Sequence, residues 1–133
     1  MHAILNSFSR DVTRLFDRYF KEFKLTTPFV ELLIHLHQEG KLPQKELSER
    51  MNLAPSTITR FINKLQKRGL VEKKMNGRMA YITLADHGKH LVPTLIQAYK
   101  KAEETLQNKL GEKFVHTTEQ LLMHGSEQLK RSR

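Results

Sequence analysis

Apolar residues recur early in the chain at Leu5, Phe8, Val12, Leu15, Phe16, Tyr19, Phe20 and Phe23, and their three- and four-residue spacing predicts a long helix over about Ala3 to Phe23. Pro28 suits the first turn of a second helix, with Thr27 as its N-cap, Phe29, Leu32, Leu33 and Leu36 on its core face, and Gly40 at its end. A short helix from Gln44 to Met51 turns Leu47 and Met51 inward. After Asn52 and Leu53, Pro55 opens another helix that runs to about Arg68 and stops at Gly69.

Beyond Gly69 the period changes. Leu70 to Met75 and Arg78 to Leu84 read as strands joined by Asn76-Gly77, a dipeptide that accepts positive φ and marks a tight hairpin. If Met75 pairs with Arg78, then Lys73 opposes Ala80 and Val71 opposes Ile82, with Val71 and Ile82 packed inward. From Asp86 the pattern is helical again, through Leu91, Leu95, Tyr99, Ala102 and Leu106, with Pro93 placed to kink or delay the start. Gly111 breaks it. Phe114, Thr118, Leu121, Leu122, Gly125 and Leu129 then predict a final helix. The expected fold class is mainly α: a winged helix-turn-helix lobe at 28–84 with a small β-hairpin wing, between terminal helices at 1–26 and 86–133 that are expected to serve dimerisation.

Charge sharpens this picture. The chain has 23 Lys+Arg against 14 Asp+Glu, a formal +9. Between Lys41 and Leu84 ten basic residues face three acidic ones, so the central lobe holds most of the excess. A concentrated basic lobe between near-neutral flanks is the footprint of a polyanion-binding module.

On the helix opened by Pro55, Ile58, Phe61, Ile62 and Leu65 fall on one face, and Ser56, Arg60, Asn63 and Lys67 on the opposite one. No acidic residue interrupts it. Arg pairs bidentately with guanine and Asn with adenine, while Ser and Lys serve bases or phosphates, so this face suits a DNA major groove. Arg60 and Asn63 are assigned base edges, with Ser56 between base and phosphate roles. Thr57, Thr59, Lys64 and Lys67 complete the candidate surface, and the first turn at Pro55, Ser56 and Thr57 offers free backbone N–H groups to a phosphate. The two central helices and their short turn make a helix-turn-helix. Arg78, at the hairpin tip, can reach an adjacent minor groove.

Four segments together resemble one known family. They are Lys45-Glu46-Leu47-Ser48-Glu49-Arg50-Met51, Ser56-Thr57-Ile58-Thr59-Arg60-Phe61-Ile62-Asn63-Lys64-Leu65, Lys67-Arg68-Gly69-Leu70-Val71-Glu72 and Ile82-Thr83-Leu84-Ala85-Asp86-His87-Gly88. In this order they resemble the MarR family, the multiple-antibiotic-resistance-type regulators. The resemblance implies a winged-helix domain set between terminal helices that build an obligate homodimer. It implies binding to palindromic double-stranded operators, typically as a repressor, with release by a small-molecule effector. The wing departs from the pattern: family wings carry an acidic residue and paired arginines on a longer loop, where this chain has Asn76-Gly77-Arg78.

Other chemistry finds little support. There is no phosphate-cradling glycine loop, nucleophile elbow or zinc-protease pair, so no catalytic residue and no cofactor is expected. His87 and His90 stand three apart and could chelate, but two ligands do not make a site and polar surface explains both. With no cysteine, thiol switching is excluded, which leaves an effector such as an aromatic acid or a metal. The apolar run near Phe29 to Leu36 is too short to span a bilayer, and no signal-peptide pattern opens the chain, so a cytoplasmic protein is expected. The competing reading is a winged helix that binds RNA or a protein partner; the long terminal helices favour a symmetric dimer and a palindromic duplex instead.

Overall fold

The computed structural model describes residues 1–131. Helix α1 covers His2–Phe20 and runs into a 3-10 turn at Lys21–Phe23, after which Lys24 adopts a left-handed conformation, φ 55°. Helix α2 is Thr27–Glu39, strand β1 Lys41–Pro43, helix α3 Gln44–Met51 and helix α4 Pro55–Lys67. Strands β2, Val71–Asn76, and β3, Met79–Leu84, precede helices α5, Asp86–Leu110, and α6, Glu112–Arg131. This is the expected mainly helical winged helix-turn-helix between terminal helices. Pro93 lies inside α5 without dividing it.

One hydrophobic core joins the lobe to the long helices. Phe20, Val30, Leu32, Leu33, Leu36, Leu47, Ile58, Ile62, Leu65, Leu70, Ile82 and Leu95 are fully buried. The apolar stripes of α1 and α5 largely bury each other within the chain. Phe16 and Phe20 both pack on the Tyr99 ring, at 5.1 and 6.1 Å between centroids, and the Tyr19 and Thr105 hydroxyls bond across the same seam. These stripes, expected at a subunit interface, are thus largely covered from within the chain. The apolar surface they leave outward is narrower: Ile4 and Leu5 at the start of α1, and Phe114, Leu121, Leu122, Met123 and Leu129 on α6, a helix with no buried residue.

Two local expectations need correction, and one strand was not foreseen. Thr27 is not an N-cap: Thr26 occupies that position, and Asp17 Oδ1 of α1 accepts from both the Thr27 amide, 2.7 Å, and its hydroxyl, 2.6 Å. A carboxylate at a helix N-terminus is favoured by the helix dipole, and here it comes from ten residues upstream. Strand β1 had no sequence signal, being three residues long and ending in proline; it pairs antiparallel with the outer side of β3. The hairpin register is shifted by two. Asn76 pairs with Met79, Met75 with Ala80, Lys73 with Ile82 and Val71 with Leu84. The central turn residues are therefore Gly77 and Arg78, and positive φ falls on Gly77, 66°, and not on Arg78, the pattern of a type II′ turn. A two-residue slip keeps every side chain on its face, so Val71 and Ile82 are buried as expected.

Candidate nucleic-acid interface

Helix α4 is seated on three sides. Ile58, Ile62 and Leu65 are fully buried, and Phe61 stacks on Phe29 of α2 with ring centroids 4.3 Å apart. Between α3 and α4, Asn52 turns the chain with φ 51°, and the Ser48 hydroxyl donates to the Leu53 carbonyl at 2.7 Å. At the far end the Arg68 guanidinium donates to the carbonyls of Phe23 and Lys24, each at 2.8 Å. Arg68 thus ties the end of α4 to the turn after α1.

The opposite face of α4 is open. Ser56, Arg60, Asn63 and Lys67 are all exposed, as the helical spacing required. Lys64 is exposed but stands to one side, its ammonium 5.9 Å from the Phe29 ring centroid. Thr57 is half-buried. Thr59 is half-buried too, and its hydroxyl donates to the Pro55 carbonyl, 3.0 Å, while accepting from Gln44 Nε2, 2.8 Å. Thr59 therefore braces α4 against α3 and offers a ligand little. The first turn is also less open than expected. Pro55 has no N–H, and the Thr57 amide donates to Ala54 at 3.0 Å, leaving Ser56 as the uncommitted amide of the three.

Arg78 lies at the exposed hairpin tip. A concavity of about 500 Å³ between wing and helix-turn-helix is walled by Arg78, Lys45 and Pro55 among others, so the wing tip and the start of α4 share one surface. Lys45 is an addition to the residues expected from sequence; its one signal there is a lysine in the first turn of the helix before the turn. Elsewhere the cationic count overstates what is free. Arg50 pairs with Glu46, 3.0 Å, and Glu39, 3.1 Å, and those hydrogen bonds raise its pKa above the ordinary arginine value. Lys41 covers the Tyr81 ring at 4.7 Å.

A second concavity, about 560 Å³, lies among α1, α2, α5 and α6. Phe8, Phe16, Tyr99 and Phe114 are among its aromatic walls, and Glu31, Glu103 and Glu119 are its charged groups. The Tyr99 hydroxyl donates to Glu31 at 2.9 Å; burial, then the Glu31 charge, raises the Tyr99 pKa. Burial and the neighbouring Glu119 raise that of Glu103. An aromatic acid would meet three carboxylates here and no cation. Among the described residues no three metal-ligating side chains cluster, and no helix is long and apolar enough to cross a membrane.

An acid-free helix presented by a helix-turn-helix, followed by a two-stranded wing, defines a winged helix-turn-helix protein. The sequence profile of the MarR family matches residues 25–76. The HTH-type transcriptional regulator SarZ of Staphylococcus haemolyticus is 31% identical over 90 residues, 65% of this chain and 61% of SarZ. The fold is similar along nearly the whole chain to that of a MarR variant from E. coli complexed with operator DNA, at TM-score 0.83 and 20% identity over 92% of this chain and 91% of that one. A MepR–DNA complex from S. aureus gives 0.82 at 20% identity, covering 96% of each chain. Residues 25–76 are thus similar to the MarR family, and the chain has a MarR-like winged-helix fold. It spans 55% and 61% of the length of two curated relatives that it matches.

Proposed function

We propose that the protein is a cytoplasmic, sequence-specific DNA-binding repressor that acts as a homodimer on a palindromic operator. The observation that carries this reading is the exposed face of α4, where Ser56, Arg60, Asn63 and Lys67 stand together without a carboxylate while the opposite face is locked into the core. Arg60 and Asn63 read base edges, Ser56 works between base and phosphate, and Thr57, Lys64, Lys67 and Arg78 hold phosphates. Thr59 positions the helix. Crystals of the two structural relatives with DNA support a duplex as the ligand. Selection of bound sequences from a random duplex pool tests the reading. We expect an inverted repeat whose half-sites lie about one helical turn, roughly 34 Å, apart. Recovery of no common sequence, or equal binding to single-stranded RNA, would overturn it.

In this reading residues 28–84 form the DNA-binding lobe, and 1–26 with 86–133 the dimerisation segments, of which 132 and 133 lie outside the described residues. Support comes from α6, where Leu121, Met123 and Leu129 stand 66%, 70% and 71% exposed. So much apolar surface on one helix is costly in water and is a face for a second copy. Leu122→Glu places a charge in that face, and sedimentation should then show a monomer at micromolar concentration where the parent chain is a dimer. A parent chain that sediments as a monomer sinks the dimer. The effector that releases the operator enters the aromatic groove beside α6; its carboxylates favour a neutral or cationic molecule over an aromatic acid.

A further inference from the structure

Arg10, Arg14 and Arg18 follow at intervals of four on α1, about 6 Å apart along its axis, and all are exposed. Lys21 and Lys24 carry the run through the turn that follows. Arg14, Arg18, Lys21 and Lys24 wall a surface concavity of about 770 Å³. Lys24, Lys64 and Lys67 wall a second, of about 370 Å³, and the two share Lys24, Leu25 and Thr26. The basic surface of the recognition helix is thus continuous with the outer face of α1.

The carboxylates in these walls are Asp11 and Asp17, and both are engaged. Asp11 bonds Arg14 at 3.3 Å, and Asp17 holds the start of α2 through Thr27. Glu22, in the same turn, is not part of either wall. Among the described residues, Arg18, Lys21 and Lys24 form no ion pair with a carboxylate. One cation at the end of α1 is explained by the helix dipole. Four on one concave surface, running on into the recognition helix, are not.

We infer that this α1 surface is a second phosphate-binding site, which grips the duplex between the two half-sites. The inference rests on the proposed reading of α4 as the operator-binding helix. Its placement follows from the ends of α1. Its first turn exposes Ile4 and Leu5, which belong to the proposed subunit interface, and the turn that follows it, at Phe23 and Lys24, is bonded by Arg68 just past the end of α4. The cationic run therefore lies between the two-fold axis and the lobe, and the DNA nearest the axis is the operator spacer. Phosphate contacts there add affinity and salt dependence without reading sequence.

The test uses the full chain and the duplex recovered from the random pool. Arg18→Gln combined with Lys21→Gln removes two charges per subunit, four per dimer. Affinity at 0.1 M salt should fall about tenfold or more, and the log–log salt slope should become shallower by about 3 to 4, with the preferred sequence unchanged. Arg18→Lys with Lys21→Arg should keep the parent slope. Neutral methylphosphonate linkages in the spacer should weaken the parent chain to the same degree and weaken the Gln variant no further. If the parent chain binds no duplex, the reading of α4 fails and this inference with it. If the parent binds and the Gln variant keeps its slope, if the charge-conserving variant loses as much, or if neutral linkages outside the half-sites reproduce the loss in place of the spacer, the α1 site alone is overturned.

Discussion

Gly88→Ala should lower the melting temperature by roughly 10 °C or more, corresponding to about 3 kcal/mol of stability. Gly88 is buried in the first turn of α5, and a β-carbon there would stand 2.1 Å from the Leu70 carbonyl oxygen. That oxygen cannot rotate aside. It belongs to the backbone between α4 and β2, and it already accepts from the Ala85 amide at 3.0 Å. Relief requires the start of α5 to move off the lobe, which would also loosen Leu84, 3.3 Å from the same β-carbon. Lys89→Ala, at the exposed neighbouring position, should change stability by about 0.5 kcal/mol at most. Thermal unfolding followed by circular dichroism measures both, and a Gly88→Ala chain that melts with the parent would show that the junction tolerates the shift.

Arg60→Ala should cost about 1–3 kcal/mol per half-site on the selected duplex and much less on random duplex. Lys67→Ala should weaken both duplexes alike and make the salt slope shallower by about 1 for each phosphate it no longer neutralises. Arg60 lies mid-helix, one turn before Asn63 and Lys64, opposite the buried Ile58 and Ile62, so its guanidinium projects directly away from the core. Lys67 ends the helix and shares its concavity with Lys24. Titration of both variants against both duplexes at several salt concentrations separates the roles. Equal losses for Arg60→Ala on selected and random DNA would remove it from base readout.

The parts of this molecule that are local along the chain are legible in its sequence. Ile58, Ile62 and Leu65 repeat at helical spacing and bury one face of α4, which fixes the residues opposite. The wing is visible through Gly77, although Asn76 draws the turn one residue too early: a type II′ turn needs positive φ once, and glycine supplies it alone. What cannot be read depends on partners distant in the chain. Nothing in the sequence around Thr59 reveals that Gln44 claims its hydroxyl, and nothing near Thr27 points to Asp17. The stripes of α1 and α5 are the instructive case. Periodicity shows that a face is apolar but not whether its cover comes from the same chain, and here most of it does.

The seat of Gly88 on Leu70 also has a mechanical meaning. Close packing at that joint opposes a swivel of the lobe on α5 and couples a tilt of the helix to the lobe. That helix has 25 residues and is about 37 Å long. A tilt of about 5° at one end therefore displaces the other by about 3 Å, close to the roughly 3.4 Å rise between successive base pairs. On the proposed reading, a ligand in the groove walled by Leu106 and Leu110 would have to tip the rod by only that amount to shift one recognition helix by about a base pair relative to that of a second copy.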